Sequence, residues 1–335
     1  MASFREAWLA WRAEFSDFLN KEGEAEVLMR VARAFNKMRA WLEENDPSML
    51  DTLRRGMSRQ ELDESLASDD ISLPACVRAM YRVCGGQDDE KVPLEFKRSM
   101  GTSNWMGLFG GYSFYDKPVS LRFLTIPRAI ALRRHILQQC PSPPFPPGES
   151  LTLQDQFPFA CSFQWLQQVE LPSRTVCVRV STGDVCSVGN EVSRPRGVAL
   201  HQQATASQHA GGLVPWLEAF VERLCSGYYR KSRLVKDLDQ SVSISLFPRA
   251  GEFSCESVTR GVRVRASSIF VPEMSFTAEP HSFYFFAYSI RFQMLESITE
   301  GGKEVLSCQL VSRHFAFTRI FAGGAQSQDR VDGEA

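Results

Sequence analysis

The alternation from Tyr284 to Met294 constrains this chain more than any other feature. Tyr284, Phe286, Tyr288, Ile290, Phe292 and Met294 fall on one face of an extended run, and Ser289, Arg291 and Gln293 fall on the other. Successive side chains of a strand point to opposite faces, so this pattern predicts a strand whose aromatic face covers a core. The runs Ser241 to Pro248 and Val258 to Glu273 have the same character, and together the three predict successive strands of a β-sandwich. Such a half-chain is built as a surface.

At 335 residues the chain exceeds one comfortable core, which predicts two domains. Its 44% apolar and 23% charged residues are the proportions of a globular chain rather than a disordered one. Lys plus Arg (38) nearly cancel Asp plus Glu (39), leaving a formal charge of −1. So balanced a chain has no field to draw it to phosphate backbones or anionic lipid, and neither nucleic acid nor membrane is an expected partner. No run approaches the roughly 20 apolar residues that cross a bilayer, and the first residues do not read as a signal peptide. The nine cysteines contain no C-x-x-C pair and no zinc spacing, and they read as reduced thiols of the cytoplasm or nucleus.

Phe4, Trp8, Phe15 and Leu19 follow helical spacing, as do Val27, Val31, Phe35, Met38 and Leu42. Asp46-Pro47 supplies a cap and a first-turn proline for a short helix bearing Leu50 and Leu53. Ser58 and Glu61 form a capping box that opens a helix carrying Leu62 and Leu66. Leu73-Pro74 opens another, which runs through Val77 and Tyr81 and stops at Cys84-Gly85-Gly86.

Further on the period shortens to two. Trp105 to Phe109, Leu121 to Ile126, Phe157 to Phe163, Thr175 to Ser181 and Val185 to Val188 predict strands, with Thr182-Gly183-Asp184 as a hairpin turn and a helix over 129–139. Pro141 to Pro147 and the Ser-, Gln- and Ala-rich stretch 189–212 predict loops, and Leu213, Trp216, Leu217, Phe220, Val221 and Leu224 predict one amphipathic helix. The polar stretch 227–240 predicts a linker. The expected architecture is α+β: a helical lead-in over 1–45, an α+β domain over 46–226, the linker 227–240, and an all-β sandwich over 241–335.

Leu62, Leu66, Leu73-Pro74, Tyr81-Arg82 and Gly85-Gly86-Gln87, followed by Gly110-Gly111-Tyr112-Ser113 and Leu121 to Pro127, resemble SUKH domains of the Smi/Knr type. Val262 to Ala266, Ile269 to Glu273, Ala287 to Arg291 and Ser307 to Leu310, before Arg313-His314, resemble ApaG domains, which are fibronectin-III-like sandwiches. This order is similar to that of F-box proteins of the plant Skp-interacting-partner type and their animal counterpart. The resemblance implies a substrate-recognition component of an SCF-type ubiquitin ligase, in which an F-box grips the Skp adaptor and the downstream domains present a protein target. The chain departs from the pattern twice: no F-box is seen before Ser3, and the ApaG resemblance covers only about the first half of that domain. The expectation is a chain that meets Skp only when an F-box is supplied upstream. The alternative is a SUKH-type regulatory binding module unconnected with ubiquitin.

No catalytic constellation is legible. His135, His201, His209, His281 and His314 show neither HxxxH nor HExxH spacing, so no metal, cofactor or catalytic residue is assigned. Gly107-Leu-Phe-Gly110-Gly111 lacks the spacing of a phosphate-cradling loop and reads as a tight turn. Arg263 and Arg265, alternating with Val262 and Val264, and Arg291 on a neighbouring strand are the candidate protein-binding residues. An enzyme ranks third, because no polar cluster is available to one.

Overall fold

The computed structural model describes residues 13–21, 23–67, 69, 71–88, 107–114, 117–139, 153–162, 174–191, 194–201, 212–235, 241–271, 274–275, 283–295, 298–300, 303–305, 307, 309–320 and 326–334. The protein is α+β, as its periodicity predicts, and divides into two compact units, residues 1–254 with 267–289 and residues 255–266 with 290–335.

The first unit opens with α1 (Ser16–Leu19) and α2 (Glu24–Asn45). Val27, Leu28, Val31, Ala34, Phe35, Met38 and Leu42 of α2 are all buried, the three-and-four spacing of an amphipathic helix laid on a core. In α1 it is Phe18, not the expected Leu19, that is buried; Phe4 and Trp8 lie outside the described residues. Asp46 precedes α3 (Pro47–Leu50) with Pro47 in the first turn as expected, but its carboxylate makes no cap bond to the helix amides. Instead it accepts from Ser48 Oγ at 2.8 Å and pairs with Lys231 Nζ at 2.9 Å.

After β1 (Leu53–Arg55), the capping box of α4 (Arg59–Ala67) forms reciprocally: Ser58 N–H donates to Glu61 Oε2 at 2.6 Å and Glu61 N–H donates to Ser58 Oγ at 3.2 Å. Helix α5 (Ala75–Val83) starts directly after Pro74 and gives way to β2 (Cys84–Gln87), which pairs antiparallel with β1. Gly86 has φ +101°, and a Cβ there would lie 2.8 Å from the main chain of Leu124, so both conformation and close approach require glycine. Arg78 and Arg82, one turn apart on α5, sit over the rings of Phe18 and Phe15 at 5.1 and 4.7 Å and clamp α1.

The main sheet contains β3 (Gly111–Phe114), β4 (Lys117–Phe123), β5 (Gln156–Ser162), β6 (Arg174–Arg179), β7 (Val185–Glu191), β8 (Arg194–His201), β9 (Arg230–Arg233) and β10 (Val242–Ser245). Helix α6 (Ile126–Gln139) follows β4, a single 3-10 turn precedes β5, and α7 (Leu213–Cys225) precedes β9. The strand order is β8-β7-β6-β5-β4-β3-β10-β9, antiparallel throughout except where β10 lies parallel to β3. Phe109, Phe123, Phe157, Phe159, Tyr81 and Trp216 build an aromatic core, with Phe109 packed edge-on against Phe159 and Trp216 at 5.9 and 5.1 Å. Helices α2 and α7 are also joined by a bidentate bond from Arg30 to Glu218, at 2.9 and 2.5 Å.

Several expectations are corrected. Residues 107–110 form a turn, closed by Gly110 N–H to Gly107 O at 2.9 Å, rather than the end of a strand. The stretch 189–212 contains β8, whose backbone pairs with β7 despite its polar composition. The stretch 227–240 contains β9, and β10, expected to open a second domain, completes the first unit's sheet beside β3. Edge strands can be short and polar because one side of their backbone is solvated, which removes the apolar signal from the sequence. The Thr182-Gly183-Asp184 turn stands where predicted, with Gly183 at φ +78°; the Pro141 to Pro147 segment lies outside the described residues.

Beyond β10 come β11 (Ser254–Thr259), β12 (Val262–Phe270) and β13 (Phe286–Met294), one three-stranded sheet in that order. Arg260 and Gly261 make its first turn, both with positive φ, as two-residue hairpin loops require. Two hairpins follow in the second unit, β14 (Ile298–Glu300) with β15 (Lys303–Val305) and β16 (Ser312–Ile320) with β17 (Gln326–Glu334).

Candidate protein-interaction site

Strand alternation places Arg263 and Arg265 on one face of β12, and the structure brings both to one carboxylate. Glu256 on β11 accepts two bonds from Arg265, that from Nε at 2.8 Å, and pairs with Arg263 Nε at 3.1 Å. Arg263 also donates to Gln293 Oε1 on β13 at 3.3 Å. The bond from Arg265 holds the Glu256 carboxyl below its ordinary range. Arg291 is half-buried, and desolvation pulls its guanidinium down from its ordinary value. The three arginines therefore do not form an open cationic patch, since two of them are spent on holding β11 to β12.

The opposite face reverses an expectation. Phe286 and Tyr288 are 56% and 57% exposed, and Phe292, further along β13, is 48% exposed. The alternation is as predicted, but this aromatic face covers no core among the described residues. The residues between them do the packing: Phe285 and Ala287 lie against the first unit's core, with the Phe285 ring 6.2 Å from that of Phe114. Two hydrogen bonds to the Phe285 main chain fix this choice, one from Val271 N–H to Phe285 O and one from Phe285 N–H to the Ser275 side-chain Oγ, both at 2.9 Å. With Phe285 turned inward, its neighbours Tyr284 and Phe286 must face outward.

A cleft of 740 Å³ in the first unit is lined by Arg54, Arg55, Met57, Glu61, Gly85 and Thr125, among others. One pair of its charges is answered internally: Arg55 donates to both Glu61 oxygens, and Glu61 also closes the capping box. The Ser58 amide first, then Arg55, holds the Glu61 carboxyl down to about 2, so it is a poor proton donor or acceptor near neutrality. Four of the described thiols are shifted away from reactivity. Burial pushes Cys76 up to about 12 and raises Cys84 and Cys225, and Cys177 is raised by its bond to Cys186 and by burial, the opposite of the shift that activates sulfur. Among the described residues no three His, Cys, Asp or Glu side chains cluster to hold a metal ion, and no helix is long and apolar enough to cross a membrane.

Besides the aromatic face, sequence reasoning missed the exposed cations of β9, which lie in the stretch it took for a linker. Four basic residues within eleven positions, Arg223, Arg230, Lys231 and Arg233, with no intervening acid, were the available signal.

No family model matches the chain. F-box protein SKIP16 of Arabidopsis thaliana is 28% identical over 339 residues, an alignment covering 99% of this chain and 70% of that protein. F-box only protein 3 of Homo sapiens is 24% identical over 321 residues, covering 92% of this chain and 55% of that protein, and the Bos taurus protein of the same name gives the same figures. The chain thus spans about half the length of these mammalian relatives. Similarity that runs along nearly the whole chain supports a relation to F-box proteins.

Proposed function

We propose that this chain is the substrate-recognition part of an SCF-type ubiquitin ligase receptor, acting by binding and not by catalysis, in the cytoplasm or nucleus. The observation that carries the reading is the alignment of 99% of the chain with a protein named as an F-box protein. Within it, a SUKH-like module over 46–226, whose sheet β9 and β10 extend, and a partial ApaG-like β-sandwich in the chain beyond β10 are the domains we assign, with the protein target held on their surfaces. The Skp adaptor joins only through an F-box supplied upstream.

Binding of purified Skp adaptor tests this, comparing the chain alone with the chain joined behind an F-box. Only the joined form should bind, and both forms should retain the same protein clients. Clients should also accumulate when the full receptor is depleted from cells. Client levels indifferent to depletion, or tight Skp binding by the chain alone, would overturn the reading.

A further inference from the structure

We propose that the seat of α1 on α5 is a recognition groove which the chain's own entry segment occupies in this structure. The partner that takes the segment's place is a polypeptide with two aromatic side chains three residues apart and a carboxylate between them. The entry segment itself carries that pattern: Phe15 and Phe18 are buried, and Asp17 lies between them. One helix holds both rings, with the Arg78 guanidinium over Phe18 and that of Arg82 over Phe15. Buried aromatic anchors beside a desolvated charge are the means by which one polypeptide grips another.

Little besides the seat keeps the segment where it is. Helix α1 is a single turn of four residues with no side-chain bond at its N-cap, and one turn does not sustain itself in water. Gly23, at φ +78°, caps α2 afresh, so α2 retains its own start when α1 leaves.

The fit at the centre of the seat is incomplete. Arg82 is only 2% exposed; its Nη1 donates to Met57 O at 2.6 Å and its Nη2 to Glu14 O, yet its Nε has no hydrogen-bond partner among the described residues. Asp17 Oδ1 has none either, and stops 3.7 Å from Arg82 Nη2. A buried guanidinium and a buried carboxylate thus face each other beyond the reach of the two-pronged bond that satisfies both. Each buried polar atom left in this way weakens the segment's hold. Beside α1 a cavity of 240 Å³, lined by Ser16, Asp17, Asn20, Lys21, Arg59 and Arg78, remains unfilled by the segment. A ligand whose carboxylate meets Arg82 Nε and Nη2 together replaces the Glu14 carbonyl and supplies the bond that Asp17 does not make. This inference concerns one groove of the first unit and does not depend on the ligase reading.

Fluorescence anisotropy tests it with a labelled peptide that copies residues 13–21. The full chain is used unchanged and with Phe15→Ala plus Phe18→Ala, which empties the seat. The tethered segment competes at an effective concentration on the order of millimolar, so the emptied variant should bind the peptide about tenfold or more tightly than the unchanged chain. Peptides carrying Asp17→Asn, or both Phe→Ala changes, should bind the emptied variant about tenfold more weakly. A retained cooperative melt shows that this variant folds. Hydrogen exchange of the unchanged chain reads the same opening without any substitution: amides 18–20 should exchange about tenfold or more faster than those of 31–42. Equal protection of the two segments overturns displacement. Absence of binding by the folded, emptied variant, or indifference to both peptide changes, overturns the groove. Dimerisation of the unchanged chain with rising concentration assigns the seat to a second copy and overturns the partner.

Discussion

Gln87 shows how much one buried side chain can organise. Its Oε1 accepts from the Leu108 and Phe123 amides, both at 3.0 Å, and its Nε2 donates to Thr52 Oγ1 at 2.9 Å, all in the interior. Gln87→Ala strands two buried amides, each a loss on the order of 1–3 kcal/mol, and should cost about 3 kcal/mol in total. Urea denaturation checks this through a lower midpoint at unchanged slope. Ser58→Ala should cost about 1 kcal/mol by opening the capping box. Glu61 adds a pH signature: its folded value of about 2 lies below the unfolded value of 4.5. Its contribution is therefore complete above the unfolded value and is lost as pH falls through the folded one. The stability gap between wild type and Glu61→Gln should narrow from about pH 6 down to about pH 2; a gap that stays constant would show that the carboxylate is not held by the Ser58 amide and Arg55.

At the scale of elements, β13 is the instructive case. Its two faces differ as the alternation requires, yet the buried one is that of Phe285 and Ala287. Phe285→Ala should destabilise by about 2 kcal/mol, because its ring leaves Phe114 and the core. Phe286→Ala should change stability by less than about 0.5 kcal/mol, since its ring is already more than half exposed. Thermal unfolding of the two variants separates these outcomes, and equal losses would mean that the outward aromatic face is covered in solution. Strand β9 teaches the same lesson from the other side: a four-residue run with no apolar side chain becomes a strand because a sheet is waiting for it, while β10, legible as a strand, joins that sheet and not a sandwich.

Across the whole molecule, burial is unequal between the two units. The buried side chains recorded among the described residues belong to the first unit, and those residues of the second whose exposure is described are half-buried or exposed. An isolated two-stranded hairpin is marginal in water. Limited proteolysis should therefore trim residues 296–335 first and leave a fragment built around α2, α7 and the eight-stranded sheet, readable by mass spectrometry over a time course. An intact C-terminal fragment outlasting that core would contradict the inequality.

The sequence by itself determined what depends on near neighbours along the chain. The buried stripe of α2, the Ser58 and Glu61 box, the Pro74 start of α5, the Gly183 turn and the alternation of β13 all follow from spacings of a few residues. The tertiary structure alone decided what depends on distant partners: that Ser245 aligns with Gly111, that Glu256 draws in Arg263 and Arg265, and that Phe285 rather than Phe286 meets a core. Periodicity records that two faces differ, and only long-range pairing chooses which of them loses water.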